Sequence, residues 1–235
     1  MRGKLAIAAA LAAASLYTAS TSSAAILINE IDSDSVNTPT TDHAEFIELY
    51  SSTGGVESLD GLVLVLFNGN GDVSYGALDL DGFSTDANGF FWTASNTPAY
   101  AGADHTGFLN NPANPGGAPG NFLQNGADAV AIYTGNAVDF PAGTAVTTTN
   151  LLDAIVYDTA DADDTGLLTG LGESVQYDEL GGAGGVADSL ARSTDGTGDF
   201  VAQTPTPGET NVVPEPASLS VLAAGALLLG RRRRT

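Results

Sequence analysis

GLVLVLF, residues 61–67, is the stretch that decides the fold, because both its odd and its even positions are apolar. Alternate residues of a strand face opposite sides of a sheet, so this run predicts a central strand that is covered on both faces. The turn Asn68-Gly69-Asn70-Gly71 follows, and these residue types tolerate positive φ angles. The sequence therefore predicts that residues 73–80 return as the hairpin partner of residues 61–67.

Other short segments have the apolar or alternating pattern of β-strands, and turns rich in Gly, Asn and Asp separate them. They lie at residues 26–31, 44–50, 89–95, 151–158, 188–193 and 199–203, and within residues 121–140. Residues 96–120 and 159–187 are predicted to be long loops, and no segment of the body has the periodicity of a helix. Eight or more short strands without helices predict an all-β fold, an antiparallel β-sandwich.

The order of several short motifs resembles the lamin tail domain, which is an immunoglobulin-like β-sandwich. The matching motifs lie at residues 28–31 (INEI), 45–50 (EFIELY), 59–64 (LDGLVL), 125–133 (NGADAVAIY), 152–157 (LDAIVY), 189–192 (SLAR) and 206–211 (TPGETN). The stretches at residues 68–120 and 159–187 are longer than the minimal domain needs. The resemblance implies one lamin-tail-like domain over residues 25–211, with long loop insertions.

The N-terminus has the organisation of a secretory signal peptide. Arg2 and Lys4 precede an apolar run at residues 5–14, and small residues around Ala24 suit cleavage. An uncleaved anchor helix is the alternative, although this apolar run is short for a membrane span. We therefore assign residues 1–24 to a signal peptide and expect export.

The C-terminus has three parts: a Pro-Glu-Pro motif, an apolar run at residues 217–230 and an arginine cluster. The motif is Pro214, Glu215 and Pro216, and the cluster is Arg231, Arg232, Arg233 and Arg234. This tail, residues 212–235, resembles the PEP-CTERM sorting signal of Gram-negative and related bacteria. The resemblance implies recognition by an exosortase in the inner membrane, removal of the tail, and delivery to the cell surface or the extracellular matrix. A lasting membrane anchor, with a short hydrophobic helix, is the alternative.

The body between the two ends is strongly acidic. Residues 25–213 carry 27 acidic side chains against one basic side chain, Arg192, which gives a net charge of −26. Such a surface repels phosphates, so we expect no direct nucleic-acid binding through a basic patch. Because Arg192 lies on a predicted strand among so many carboxylates, we expect it to form a structural ion pair with Glu48 or Glu30.

Several acidic loops alternate oxygen-bearing side chains before a glycine, as a calcium-binding loop does at its start. The candidate Ca²⁺ ligands are Asp161, Asp163 and Asp164 in one loop, and Asp79 and Asp81 in another. Asn68, Asn70 and Asp72 alternate in the same way. Solvated turns are the alternative because Asp, Asn and Gly are common turn residues, and the glutamate expected at the twelfth position of a calcium loop is replaced by Gly172.

Catalytic patterns are weak in this sequence. The chain has two histidines, His43 and His105, so a three-histidine zinc site cannot be built, and it has no cysteine. Neither a hydrolase nucleophile elbow nor a phosphate-binding loop occurs. Residues 90–92 (FFW) could stack on a carbohydrate or pack in the core.

These patterns predict a secreted or cell-surface protein that is not an enzyme and has a structural or adhesive role. Its expected partners are an exosortase and the inner membrane during sorting, and extracellular polysaccharide or matrix afterwards. Ca²⁺ is the candidate ligand. The alternatives are a binding module that serves a secreted hydrolase or nuclease, and a hydrolase that uses Asp or Glu.

Overall fold

A computed structural model describes residues 25–35, 44–110 and 122–211 of the chain. The predicted signal peptide and the predicted sorting tail, with its hydrophobic helix, lie outside these residues, and so do His43 and part of the predicted loop at residues 96–120. Within the described ranges, no helix is both long and apolar enough to cross a membrane.

The described residues form a mostly β structure with one short α-helix. The strands, in chain order, are β1 (Ile26–Asp32), β2 (Phe46–Ser51), β3 (Leu62–Asn68), β4 (Val73–Asp79), β5 (Phe90–Ala94), β6 (His105–Thr106), β7 (Asp128–Thr134), β8 (Leu151–Asp158), β9 (Gln176–Asp178), β10 (Ser189–Thr194) and β11 (Thr197–Gln203). The α-helix is α1 (Thr165–Leu171), between β8 and β9. Short 3₁₀ turns occur at Pro98–Tyr100, Ala137–Asp139, Glu179–Gly181 and Gly185–Ala187.

The strands form two sheets, one of six strands in the order β11-β10-β1-β2-β5-β6 and one of five in the order β4-β3-β7-β8-β9. The all-β prediction is therefore confirmed. The prediction of purely antiparallel sheets is wrong, because β5 pairs with β6 and β8 pairs with β9 in parallel. Both exceptions are edge strands of two or three residues that arise inside the predicted long loops, so both sheets are mixed.

The hairpin predicted around residues 61–80 is confirmed, since β3 and β4 are antiparallel neighbours. β3 also pairs with β7, which places it in the interior of its sheet as its apolar pattern predicts. Leu64 and Leu66 face a core that both sheets share, where they join Ile28, Leu49 and Phe91 of the six-stranded sheet. The opposite face of β3 is also buried, in a second apolar cluster that includes two leucines of α1. These two clusters explain why neither face of residues 61–67 is polar.

The loop predicted at residues 159–187 contains α1, so the expectation that the body has no helix is wrong. Asp164 is the N-cap residue, and its Oδ1 accepts hydrogen bonds from the amides of Gly166 and Leu167 at 2.8 and 2.9 Å. Gly172 ends the helix in the left-handed conformation, at φ 76°. The helix has seven residues, two of which are glycine, so it has no clear periodicity, and the cap residues are the only local signals for it.

Candidate functional site

The segment after β11, residues 204–211, lies over the six-stranded sheet, and we call it the closing segment. Two glutamates that pair across β1 and β2, Glu30 and Glu48, are fully buried beneath it. The Thr206 amide and hydroxyl donate to the two carboxylate oxygens of Glu30, each at 2.9 Å. The Gly208 amide donates to Glu48 Oε2 at 2.5 Å. The two carboxylates therefore fix the chain to the sheet shortly before the predicted sorting tail begins.

Burial changes the acid–base properties of this glutamate pair. Burial raises the pKa of Glu48 well above its ordinary value, and the neighbouring Glu30 charge raises it further. Burial also raises the pKa of Glu30, although hydrogen bonds from Ser189 and Thr206 oppose that rise. The pair therefore holds a proton more tightly than exposed glutamates do.

Arg192 does not pair with Glu48 or Glu30, so the predicted ion pair is wrong. Its Nη2 donates to both oxygens of Asp153 in β8, at 3.0 and 2.9 Å. The cause is the register of β1 and β10, which places Ala191 opposite Glu30, so that Arg192 faces the other side of the sheet. The guanidinium also donates from Nε to Ile28 O at 2.7 Å. Arg192 thus joins the six-stranded sheet to the five-stranded sheet.

The two sets of predicted calcium ligands do not each gather around a point. Asp81 Oδ1 accepts from the Gly61 amide at 2.6 Å, and Asp79 Oδ2 accepts from the Ala137 amide at 3.4 Å. Asp163 is exposed, while Asp164 caps α1 and interacts with Asp72 of the distant turn after β3. In the described ranges, no group of three or more Asp, Glu or His side chains is arranged as a metal site. Calcium binding therefore stays a prediction.

Glu179 lies in the predicted loop before β10 and is fully buried, although it is not among the residues that the sequence predicts for a site. Its carboxylate accepts from the amides of Ser33 and Asp34 and from the Ser33 hydroxyl, just beyond the end of β1. Burial raises the pKa of Glu179 to about 7 despite these hydrogen bonds. No local pattern distinguishes Glu179 from its exposed neighbour Asp178.

The aromatic residues 90–92 do not form a flat stacking platform. Phe91 lies in the core between the sheets, whereas Trp92 contacts Phe46 and Tyr100 on the opposite face. Phe90 packs on Tyr50 with ring centroids 5.1 Å apart. An open cavity of about 460 Å³ lies beside this pair, and its lining includes Asn88, Gly208 and Glu209.

His105 lies on β6 at the edge of the six-stranded sheet. It is partly buried on β6, next to β5, and its Nδ1 lies 3.0 Å from the hydroxyl of Thr93. Burial lowers the pKa of His105.

Comparison with known proteins identifies no relative: no family model, no curated protein and no solved structure matches this chain. Its function therefore has to be inferred from its own residues and their geometry.

Proposed function

We propose that the chain is an exported structural or adhesive protein of the cell surface or extracellular matrix, sorted through an exosortase-type system. In this proposal an immunoglobulin-like, lamin-tail-like β-sandwich over residues 25–211 is the mature passenger, and it does not act as an enzyme. Residues 1–24 direct export, and residues 212–235 direct sorting at the inner membrane.

The observation that carries the proposal is that Ala25 and Asn211 are both hydrogen-bonded to the body of the fold. The Ala25 amide donates to Ser52 Oγ, and the Ser52 amide donates to Ala25 O, each at 2.9 Å. At the other end, the side-chain amide of Asn211 donates to Arg192 O at 2.8 Å, and its backbone amide donates to Asp195 Oδ1 at 3.0 Å. Asn211 is only 4% exposed.

Both processing sites that the sequence predicts lie outside residues 25–211. The signal peptide is expected to end at Ala24, one residue before the first of these hydrogen bonds. Pro214 begins the Pro-Glu-Pro motif three residues after Asn211. Cleavage at these sites would therefore keep both Ala25 and Asn211 within the passenger.

The charge and the surface of the passenger support an extracellular role. A body with a charge of −26 stays soluble and attracts cations. The cavity beside the closing segment offers the Tyr50 ring together with polar groups of Asn88 and Glu209. Rings combined with hydrogen-bonding groups suit a sugar, so extracellular polysaccharide is the partner that we propose for this cavity.

The test is sorting in a bacterium that has an exosortase, with antibodies against the passenger. We expect the wild-type chain in the surface fraction, with the tail removed and the mass reduced accordingly. A variant in which Pro214, Glu215 and Pro216 are all alanine should remain at full length in the inner membrane. Deletion of the exosortase is the matched control and should give the same retention. Intact wild-type chain in the cytosol, or normal release of the variant, would refute the proposal.

A further inference from the structure

One hydroxyl group of the closing segment faces two acceptors, although it has a single hydrogen. Thr206 Oγ1 lies 2.9 Å from Glu30 Oε2 and 3.2 Å from Asn211 Oδ1. The orientation of the Asn211 side chain is fixed, because its nitrogen donates to Arg192 O at 2.8 Å. A threonine hydroxyl donates one hydrogen bond and can accept others. The Thr206 hydrogen therefore leaves either Glu30 Oε2 or Asn211 Oδ1 without this donor.

A proton on Glu30 Oε2 satisfies all three groups. Glu30 then donates to Thr206 Oγ1, and Thr206 donates to Asn211 Oδ1. The other oxygen of Glu30 still accepts from the Thr206 amide at 2.9 Å and from the Ser189 hydroxyl at 2.5 Å. The protonated form of Glu30 therefore fits the contacts of the closing segment without any movement of the chain.

The position of Glu48 gives a second reason for a proton at this place. Glu30 and Glu48 lie directly opposite each other on β1 and β2, and neither side chain is exposed to solvent. Like charges directly opposite each other destabilise an antiparallel pair of strands. One proton on the pair removes this repulsion, so the titration belongs to the two glutamates together.

The other titratable groups near the pair do not replace this proton. Burial raises the pKa of both glutamates, and the charge of Asp195, in the turn between β10 and β11, raises it further. Asp32 follows on the same face of β1, Tyr50 on the same face of β2, and Glu209 lies in the closing segment. Arg192 is engaged on the other side of the sheet. The groups on this face are thus acidic and favour the protonated pair.

We propose that one proton shared by Glu30 and Glu48 holds the closing segment on the sheet, and that loss of this proton releases residues 204–211. The pair and the segment form a pH-sensitive latch. When the segment leaves, water reaches both carboxylates and compensates their charges. The eight released residues can extend to about 26–29 Å, so the latch also sets the length of the connection to the residues that follow. This inference rests on the contacts of the closed segment and not on the proposed export.

The direction of the pH dependence follows from proton linkage. A carboxyl group whose pKa is raised in the closed state stabilises that state fully below its pKa in the open state. This stabilisation is lost as pH rises through the raised pKa. Between the ordinary glutamate pKa of about 4.3 and the raised pKa, the ratio of open to closed molecules should increase about tenfold per pH unit for one proton.

The test follows the exposure of Trp92, the single tryptophan, in the full-length chain. Trp92 is 9% exposed, and a Cβ atom on Gly208 of the closing segment would lie 3.2 Å from its Nε1. Release of the segment therefore uncovers the indole ring. We expect acrylamide to quench the fluorescence weakly at pH 5 and more strongly toward pH 9, while the far-UV circular dichroism of the sheets stays constant.

Two variants remove the repulsion within the pair. Glu30→Gln should stay closed from pH 5 to pH 9, because its NH2 group donates to Thr206 as the protonated acid does. Glu48→Gln keeps an oxygen for the Gly208 amide and should also have a weaker pH response, so it serves as the second variant if Glu30→Gln does not fold. Glu209→Gln is the matched control, because it removes one charge from an exposed position of the same segment. Its quenching should follow that of the wild type.

Several results would overturn the proposal. One is wild-type quenching that is equal at pH 5 and pH 9, and another is a full wild-type response in Glu30→Gln or Glu48→Gln. A response that Glu209→Gln suppresses equally would show a general effect of the acidic surface. Loss of the circular dichroism signal together with the rise in quenching would show unfolding of the whole domain instead of release of the segment.

Discussion

Replacement of Arg192 by methionine should remove the one ion pair that the described part of the chain contains. The side chains of Arg192 and Asp153 are only 14% and 15% exposed. Arg192 also packs over the Phe200 ring, with Cζ 4.5 Å from the ring centroid. Methionine retains much of this packing, so the substitution mainly leaves Asp153 as a buried charge without its cation.

The expected cost is about 3 kcal/mol of unfolding free energy. Loss of one partner from a buried pair costs about 3–5 kcal/mol. The lower end applies here because the Ile28 amide still donates to Asp153 Oδ2 at 2.8 Å, and because some solvent reaches both side chains. For a domain of this size, such a loss lowers the melting temperature by roughly 6–12 °C.

The penalty should also depend on pH. Burial raises the pKa of Asp153 and Arg192 opposes that rise, so the pKa of Asp153 should be higher in Arg192→Met. A carboxyl group with a raised pKa in the folded state stabilises the fold at low pH, and that stabilisation is lost as pH rises through the raised pKa. The stability difference between wild type and variant should therefore shrink from pH 7 to pH 4.

Urea unfolding followed by the fluorescence of Trp92, the single tryptophan, measures these differences. The matched control is the double variant Arg192→Met/Asp153→Asn, in which asparagine still accepts from Ile28 but carries no charge. It should be more stable than Arg192→Met alone. A cost below about 1 kcal/mol, in the range of a surface pair, would refute the structural role assigned to Arg192. So would a difference that stays constant between pH 4 and pH 7.

Two further predictions concern Glu179 and the closing segment. Because the folded-state pKa of Glu179 is raised to about 7, its protonation stabilises the fold fully below the unfolded pKa, and this stabilisation is lost as pH rises through about 7. Urea midpoints should thus fall from pH 5 to pH 8, and Glu179→Gln should show a smaller fall; an equal fall would contradict the assignment. Gly208→Ala should cost roughly 1–2 kcal/mol, because Gly208 has φ +78° and its Cβ would lie 3.2 Å from Trp92 Nε1. Gly55→Ala is the matched control, because Gly55 has no positive φ and open space surrounds the new Cβ. Its unfolding free energy in urea should be close to that of the wild type. Equal losses of stability in the two variants would contradict the strain at Gly208.

The strands that the sequence predicts are those whose pattern is local. Residues 61–67 are apolar on both faces, and the turn after them contains two Asn-Gly pairs, so β3 and its hairpin with β4 follow from neighbouring residues alone. In contrast, β6 and β9 have two and three residues, which is too short for any periodicity. Their parallel pairing depends on how the long connections return to the sheet edges.

The contacts of the charged residues were harder to predict because they form between distant segments. The alternation in β2 places Glu48 on a face with Phe46 and Tyr50, which is compatible with solvent exposure. The closing segment, about 160 residues further along the chain, covers this face and provides the Gly208 amide. For Arg192, the strand was predicted correctly, but its partner depends on the register with β1, which composition cannot supply.

Because residues 25–211 contain one basic side chain, most of their buried carboxylates cannot pair with a cation. Other groups compensate them, and these groups differ from site to site. Glu30, Glu48 and Glu179 accept from backbone amides, and burial raises the pKa of each. Asp153 pairs with Arg192, the single arginine of residues 25–211. Asp128 has neither an arginine nor a donor for Oδ2, and it lies among other aspartates.

It follows that the stability of this fold should depend on pH through a few buried glutamates. Protons bind favourably at Glu48 and Glu179, which hold the closing segment and the end of β1. Mild alkali leaves these carboxylates charged and only partly compensated. The fold should therefore be less stable at mildly alkaline pH than at mildly acidic pH, because no basic residue compensates either glutamate.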